Sequence, residues 1–307
     1  MTSAATTATA ARLQRSSVLV GMLGVALAVL LFSVSSTLIK KAGIPGPTMA
    51  FWRMVGSSII WTVVLYAKER RVVRTDELRS ALVPGIAFGI NITLFFSAVT
   101  HTTVANAEFI VSLTPVLLIP IGIIRFGERA SWQTVVIGTI TLCGLALVLF
   151  SAPTNGEASW FGNAMAFCSM LFWCVYLVTS RVMRMTMDVV AIMASVMPIA
   201  TLTILPIAIA TGDLFAVTWH SVPYIVTLIV LTGTAAHALI VFAQRAVPVA
   251  TIGIMQAAQP AMAVCWSVLL LGAVLVPLQV VGMAIVVGCL VLMTVLRTRL
   301  ATTAARR

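Results

Sequence analysis

The sequence predicts an all-α, polytopic membrane protein with ten transmembrane helices. Hydrophobic residues make up 61% of its 307 residues and charged residues only 9%. The resulting mean hydropathy of +1.11 lies far from that of soluble domains. Apolar runs of about 20 residues, the length that crosses a bilayer core of roughly 30 Å, follow one another between short loops. We therefore expect the functional site to lie within the membrane.

Turn residues and charges delimit the ten helices. Two of the loops, "GIPGP" (43–47) and "SAPTNG" (151–156), combine proline with glycine. The predicted helices, numbered 1 to 10 in chain order, cover residues 17–39, 48–67, 80–100, 103–124, 132–151, 160–180, 188–211, 221–243, 248–271 and 277–296. Residues 1–16 are predicted to be a disordered N-terminus, residues 152–159 a linker, and residues 297–307 a basic tail.

The positions of lysine and arginine predict the orientation. If the N-terminus is cytoplasmic, only Lys40, Lys41 and Arg53 of the 19 lysines and arginines fall outside the cytoplasmic loops and ends. The positive-inside rule therefore places both termini in the cytoplasm, and we expect a multi-pass protein of the plasma (inner) membrane. The net charge of +11 is spread over separate loops of one membrane face, which argues against nucleic-acid binding.

The sequence gives no indication of a cofactor or a metal site. All five cysteines lie in apolar segments, without CxxC or Cys/His spacing. An ATP-driven pump is disfavoured because there is no GxxxxGK[ST] stretch. A retinal protein would need a lysine deep in a late helix, and no lysine follows Lys68.

The two halves of the chain carry a weak internal repeat. A shift of 145 residues places residues 102–127 on residues 247–272. The residue pairs that coincide, the last two after a one-residue gap, are Val104/Val249, Ala105/Ala250, Pro115/Pro260, Gly127/Gly272, Gly138/Gly282 and Gly144/Gly288. Any two membrane-spanning halves can share proline and glycine by chance, but a proline at the same depth followed by the same glycines favours duplication. Since each half holds five helices, residues 17–151 and 160–296 are predicted to form two inverted repeats.

Three stretches carry a resemblance to a known family. The first, "FSVSSTLIKKAGIPGPTMAFWRMVGSSII" (32–60), joins a serine-rich helix 1 to an arginine in helix 2. The others are "TTVANAEFIVSLTPVLLIPIGIIRFGERASWQTVVIG" (102–138) and "AQRAVPVATIGIMQAAQPAMAVCWSVLLLGAVLVPLQVVG" (243–282). Together they resemble the drug/metabolite transporter superfamily, in its ten-helix EamA-type branch.

The resemblance implies a function that residue patterns alone do not give. It implies a secondary transporter without a cofactor that moves a small metabolite, such as an amino acid, and it implies export. One feature departs from the family pattern. The second half usually repeats the Gly-Glu pair that follows helix 4, but here Gly272 is followed by Ala273, where the family has a structural loop element.

Two opposite charges lie inside predicted helices, Arg53 in helix 2 and Glu108 in helix 4. Each is about five residues from the same membrane face, roughly 7 to 8 Å deep. We expect them to face each other or to share a water-filled vestibule, because a charge inside a membrane usually faces a partner or a cavity. Glu108 is then a counter-ion for Arg53 or a carboxylate that binds a proton or another cation. Alternatively, its side chain reaches the outer headgroups.

Helices 1 and 3 carry further polar candidates. Ser33, Ser36 and Thr37 lie in one stripe with Lys40, at helical spacing. Such a stripe can line a substrate path, or it can form hydrogen bonds between helices. Asn91 in helix 3 is also a binding candidate.

The second half has a polar set of its own, with His237 in helix 8 and both Gln256 and Gln259 in helix 9. A histidine there can titrate near neutral pH and support proton coupling, or it can act as a neutral hydrogen-bond partner. Trp173 and Tyr176 of helix 6 are expected to flank the same site.

Two prolines are expected to shape the site. Pro115 in helix 4 and Pro260 in helix 9 each remove a helical hydrogen bond. A free carbonyl at membrane depth needs protein or cavity water to satisfy it. We therefore place the binding site at kinks where the two repeats meet.

The partners expected from the sequence are the lipid bilayer, a small-molecule substrate, and protons or another coupling ion; the oligomeric state is left open. A membrane enzyme that uses Glu108 and His237 is an alternative, but counting residues from the helix ends places these two toward opposite membrane faces. A channel is a further alternative, which transport measurements distinguish from a carrier.

Overall fold

The computed structural model describes the backbone of residues 2–102, 104–128, 131–151, 159–211, 214–271 and 276–304. Within these residues, ten helices are long and apolar enough to span a membrane, so the predicted fold class is confirmed. Helices 1 to 10 are Ser16–Ala42, Gly46–Glu69, Thr75–His101, Asn106–Phe126, Trp132–Phe150, Trp160–Arg184, Val189–Ala210, Val222–Ala243, Val249–Leu270 and Pro277–Arg299.

Both ends of the chain are more helical than the sequence suggested. The helical segment Thr2–Ser33 runs through the stretch that was predicted to be disordered. Five alanines lie between residues 2 and 15, and alanine has the highest helix propensity. At the other end, the helical segment Pro277–Ala304 extends into the predicted tail. Most of the predicted linker, residues 152–158, lies outside the described residues.

Helices 4 and 9 are each broken near the middle. Helix 4 consists of Val104–Ser112 and Thr114–Phe126, and helix 9 consists of Val249–Gln256 and Gln259–Leu271. In each helix the predicted proline, Pro115 or Pro260, is the second residue after the break, where its missing N–H leaves no helical bond unmade. Both breaks therefore lie beside the prolines at which kinks are expected from the sequence.

Helices 1 and 8 are irregular in ways that the sequence analysis did not predict. Helix 1 is interrupted at Val34, between Thr2–Ser33 and Ser35–Ala42. Helix 8 contains a π-helical stretch, Leu228–Ala236, between two α-helical segments. π-Helical turns occur frequently at functional sites.

The helices pack as two repeats related by inversion. In a duplication, helices 1 to 5 correspond to helices 6 to 10. Corresponding helices contact each other in three cases: helix 2 contacts helix 7, helix 4 contacts helix 9, and helix 5 contacts helix 10. The contact of helix 1 with helix 8 also corresponds to the contact of helix 6 with helix 3. This pattern agrees with the predicted duplication.

Glycines let helices 3 and 7 approach closely. A Cβ atom built on Gly85 would lie 2.6 Å from Cγ2 of Ile199, and one built on Gly89 would lie 2.8 Å from the carbonyl oxygen of Ala200. Small residues of this kind are typical of helix contacts in membranes. Gly85 and Gly89 therefore serve close packing between these two helices.

Contacts between helix ends define the two faces of the bundle. At one face, the end of helix 2 meets the start of helix 7 through Lys68 and Asp188, whose charged atoms are 3.7 Å apart. Arg181 and Glu128 meet at the same face, 3.2 Å apart. We call this the basic face, because loop cations such as Arg71 and Arg245 also lie at these helix ends. At the opposite face, Lys41 of helix 1 donates to the carbonyl oxygen of Leu270, at a distance of 3.0 Å.

Candidate functional site

A cavity lies inside the bundle, beside the breaks in helices 4 and 9. The cavity volume is about 80 Å³, and one water needs roughly 10–15 Å³ on the same measure. The cavity therefore has room for several waters or a small ligand. Residues from helices 1, 2, 3, 4, 6, 8 and 9 line it; the polar ones are Ser35, Arg53, Asn91, Glu108, Ser112, Thr114, Ser169, His237, Gln256 and Gln259, and the aromatic ones are Phe32, Phe95, Phe96 and Trp173.

Arg53 is the cation of the cavity wall, and only 1% of its surface is exposed. Its Nε donates to Thr232 Oγ1 in the π-helical stretch, at 3.1 Å. The guanidinium also lies over the ring of Phe96, 5.6 Å from the centroid. Its Nη1 has no hydrogen-bond partner among the described residues. Since an unsatisfied charged donor is costly in a buried place, this group is available to an anionic ligand atom.

Glu108 is the acidic group of the cavity wall, and 2% of its surface is exposed. It lies in the first segment of helix 4, five residues before the interruption at Leu113. The hydroxyl of Ser36 donates to its Oε1. Ser36 is therefore a positioning group for the carboxylate and does not itself line the cavity.

Arg53 and Glu108 share the cavity without pairing with each other. No ion pair joins them in the described structure, where each has a different partner on a different helix. The direct counter-ion relationship considered from the sequence is therefore wrong, because Arg53 turns toward helix 8 and Glu108 turns toward helix 1. The alternative expectation, a shared cavity, agrees with the lining residues. As a result, the cavity presents a guanidinium group and a carboxyl group at separate places.

His237 joins the same cavity, with 1% of its surface exposed. Its Nδ1–H donates to the carbonyl oxygen of Thr232 at 2.5 Å, which assigns the tautomer because a carbonyl can only accept. Its Nε2 has no partner among the described residues. The ring is enclosed by Phe32 and Phe88, whose centroids lie 4.7 and 4.5 Å away. Neutral His237 therefore offers one acceptor.

His237 and Glu108 line the same cavity, although residue counts along their helices place them toward opposite faces. Counting residues along a helix gives only a depth. The cavity is lined by both residues and so extends over both depths. A ligand in the cavity can therefore contact both groups at different depths.

Asn91 and Gln256 are bonded within the wall. Asn91 Nδ2 donates to both the carbonyl oxygen and Oγ of Ser169, each at 2.9 Å, which ties helix 3 to helix 6. Trp173 Nε1 donates to Gln256 Oε1 at 3.4 Å, which ties helix 6 to helix 9. Gln259 lines the cavity beside Pro260. These amides set the shape of the cavity as well as its polarity.

Several predicted site residues lie off the cavity. Ser33 accepts a hydrogen bond from Trp266 Nε1 at 2.8 Å, which is the helix-contact alternative for the stripe on helix 1. Thr37 is buried and is not part of the lining. The helix is interrupted at Val34, between Ser33 and the rest of the stripe, and Ser35, which is not part of the predicted stripe, lines the cavity. Tyr176 lies behind the wall, stacked on Phe88.

Other lining residues were missed by sequence reasoning. Ser112 follows Glu108 by one helical turn, so its spacing could have indicated a shared face. Thr114 stands next to Pro115, at the break itself. Ser169 reaches the cavity because helix 6 packs on helix 3, and a contact between helices leaves no signal in a single sequence.

The order and packing of the helices match those of known proteins. A family model described as the EamA-like transporter family matches residues 19–150 and again residues 160–295. The chain belongs to the EamA-like transporter family. The two matches coincide with the two repeats, so each half of this EamA-like transporter is one family unit, as the resemblance implied.

A solved crystal structure, described only as that of a protein, has the same fold. It aligns with a TM-score of 0.76 and 21% sequence identity, over 92% of this chain and 99% of the other. At that identity the likeness concerns the fold alone. No curated protein matches this EamA-like transporter.

Proposed function

We propose that the protein is a secondary active transporter that exports a small zwitterionic metabolite, an amino acid or a similar compound, by alternating access. The observation that carries the proposal is the cavity that holds Arg53 and Glu108 as separate charges beside aromatic rings. A carboxylate of the substrate would bind the free Nη1 of Arg53, and an ammonium group would bind Glu108. Phe95 and Phe96 would contact an apolar side chain.

The transport cycle rests on the two inverted repeats. In such folds a site at the interface of the repeats becomes accessible from each side in turn as one repeat rocks against the other. The proposal includes a plasma-membrane location with the basic face and both termini in the cytoplasm, which the positive-inside rule supports for the orientation. The outward direction follows from the family resemblance.

The coupling ion is proposed to be a proton that competes with the ammonium group of the substrate for Glu108. Glu108 is a buried carboxylate that lines the cavity and receives one hydroxyl hydrogen bond, so it can be protonated or can bind a cation when the cavity opens. His237 is proposed as a neutral acceptor for the substrate, since its Nδ1–H is already donated to Thr232.

The test is counterflow in proteoliposomes. Proteoliposomes that contain the purified protein are preloaded with an unlabelled amino acid. They should accumulate the labelled compound from outside, since a carrier shows trans-stimulation and a channel does not. The substrate is found first by thermal stabilisation, because a ligand that binds the folded form raises its Tm. The panel matches each amino acid with the amine that lacks its carboxylate and with the acid that lacks its amine.

The outcomes separate the alternatives. Greater stabilisation by the zwitterion than by either matched compound supports two-point binding to Arg53 and Glu108. Flux without trans-stimulation would indicate a channel. Chemical conversion of the compound, detected by mass spectrometry, would indicate an enzyme that uses Glu108 and His237, which line the same cavity.

A further inference from the structure

At the basic face, Glu128 connects the two repeats. The residue follows helix 4, where Gly127 adopts a left-handed conformation with φ of 61° and the Glu128 N–H donates to the carbonyl oxygen of Gly122 at 3.0 Å. This turn folds the Glu128 side chain back over the helix end. A Cβ atom built on Gly122 would lie 2.5 Å from Glu128 Oε2, so both glycines are needed for this placement.

The Glu128 carboxylate binds two elements of the second repeat. Its Oε1 lies 3.2 Å from Arg181 Nη2, at the end of helix 6, and accepts the N–H of Val249, at the start of helix 9, at 3.1 Å. A carboxylate at a helix N-terminus also interacts favourably with the helix dipole. The side chains of Glu128 and Arg181 are only 9% and 15% exposed, so solvent screens this pair much less than a surface pair.

Arg181 extends the contact to the turn between helices 8 and 9. Its Nη1 donates to the carbonyl oxygens of Gln244, at 3.0 Å, and Val247, at 2.6 Å. Its guanidinium lies over the ring of Phe126, the last residue of helix 4, 5.0 Å from the centroid. We call Glu128 and Arg181 with these partners the latch.

Fully buried apolar side chains lie between the cavity and the latch. On helix 4, Leu118 lies between the cavity residue Thr114 and Glu128; on helix 6, Leu177 lies between Trp173 and Arg181. On helix 9, Ile252 lies between Gly253 and Val249. On each of the three helices, a fully buried apolar residue with 0% exposure therefore lies between a cavity residue and a latch residue.

The second repeat lacks a matching carboxylate. The 145-residue shift that pairs Val249 with Val104 pairs Glu128 with Ala273. Ala273 lies outside the described residues, but its methyl side chain can neither pair with an arginine nor accept an N–H. The sequence therefore excludes a bond of the Glu128 kind from the side chain of residue 273 to the start of helix 4.

We propose that the latch holds the cavity closed toward the basic face, and that the absence of its counterpart makes this closed form the resting state of the carrier. The proposal rests on alternating access as the proposed function. Opening toward the basic face must separate the end of helix 4 from the ends of helices 6 and 9, and so must break the bonds of Glu128. Glu128 and Arg181 are then residues that set the conformational equilibrium without touching the substrate.

The test measures a distance across the latch. Spin labels are placed at Arg125 and Met185, which are exposed residues near the ends of helices 4 and 6. Electron paramagnetic resonance should give one short, narrow distance population for the parent protein. Glu128→Gln, which keeps the shape of the side chain but removes its charge, should add a longer population. Arg181→Lys, which keeps the charge but cannot make the forked contacts, should add a smaller one.

Asp188→Asn is the matched control. Asp188 also caps a helix, accepting the N–H of Ala191 at 3.0 Å, and also pairs with a cation across the two repeats, but its side chain is 48% exposed. Its replacement should leave the distances unchanged. The proposal is overturned if a latch variant that folds gives the same distances as the parent. It is also overturned if Asp188→Asn lengthens the distances as much as the latch variants do.

The same samples separate this proposal from the proposed function, because the distance measurement needs no substrate. A longer population in Glu128→Gln together with an absence of counterflow in the parent would support the latch and reject the carrier. Counterflow in the parent with unchanged distances in the variant would reject the latch alone.

Discussion

Helices 4 and 9 occupy matching places in the two repeats but bring different chemistry to the cavity. Both are broken two residues before a proline. At the aligned position before the break, however, helix 4 has Glu108 and helix 9 has Gly253. A Cβ atom built on Gly253 would lie 2.9 Å from Leu118 Cδ1 of helix 4, so even a methyl side chain there would require Leu118 to move. Both repeats therefore have the helix break before a proline, whereas only the first repeat has a carboxyl group at this position.

The same asymmetry holds beyond these two helices. Arg53, Glu108 and Glu128 all belong to the first repeat, whereas the second repeat lines the cavity with neutral groups such as His237 and Gln256. Proline breaks and close helix packing maintain the inverted architecture. Binding of one charged substrate requires only one set of charged side chains, so a single repeat can supply it. The following predictions test this division, beginning with the largest expected effect.

Replacing the acidic group should have the largest effect. Glu108→Gln retains an acceptor for Ser36 but cannot ionise, so we expect counterflow to fall by at least about tenfold, as for loss of a charged contact worth about 1.5–3 kcal/mol. Protein yield and Tm should stay close to those of the parent. Glu77→Gln, which removes a carboxylate paired with Arg71 at the basic face, is the control. Equal counterflow by the Glu108 variant and the parent would show that transport does not need an ionisable group at this position.

Arg53→Lys should have the next largest effect and should act on binding. Lysine keeps the charge but loses the fork that reaches Thr232 and presents a free Nη1. We expect KM to rise about tenfold, equivalent to about 1.4 kcal/mol, with kcat changed much less. The matched amine without a carboxylate should bind the variant and the parent equally. A loss of kcat without a change in KM would place Arg53 outside the binding site.

Close packing should be sensitive at Gly282 and insensitive at Gly288, although both lie on helix 10. A Cβ atom at Gly282 would lie 2.7 Å from the carbonyl oxygen of Gly144, whereas one at Gly288 has nothing within 4 Å. Gly282→Ala should therefore lower stability by about 1–3 kcal/mol. Gly288→Ala should leave it unchanged or raise it by up to about 1 kcal/mol through helix propensity. Thermal unfolding in detergent measures both, and equal losses would contradict the packing described.

The sequence predicted the architecture more fully than it predicted the site. The ten helices follow from hydropathy within single segments, and the duplication follows from the spacing of proline and glycine. The breaks at Pro115 and Pro260 do not follow from proline alone, because Pro84, Pro120, Pro198 and Pro206 lie inside unbroken helical segments. The interruption at Val34 and the π-helical stretch that holds Thr232 against Arg53 depend on packing between helices. Residue counts gave depths for Glu108 and His237 but not the direction of their side chains, so the shared cavity required the structure.

The smallest effect is expected for the exposed ion pair of Asp188 and Lys68, which links the repeats as the latch does but lies in solvent. Partial burial raises the pKa of Asp188, but the hydrogen bond from Ala191 and the charge of Lys68 outweigh it and leave the pKa below its ordinary value. A lowered pKa in the folded state stabilises the protein at pH values above the ordinary pKa of about 3.9, and this stabilisation is lost as the pH falls through the lowered value.

Asp188→Asn should therefore lower stability at pH 7 by no more than about 1 kcal/mol, and the difference from the parent should shrink in acid. Thermal unfolding at pH 7 and below pH 4 measures this, and a difference that grows in acid would show that Asp188 is not held in its charged form. If Asp188→Asn destabilised the protein as much as Glu128→Gln does at neutral pH, burial would not distinguish the two links between the repeats.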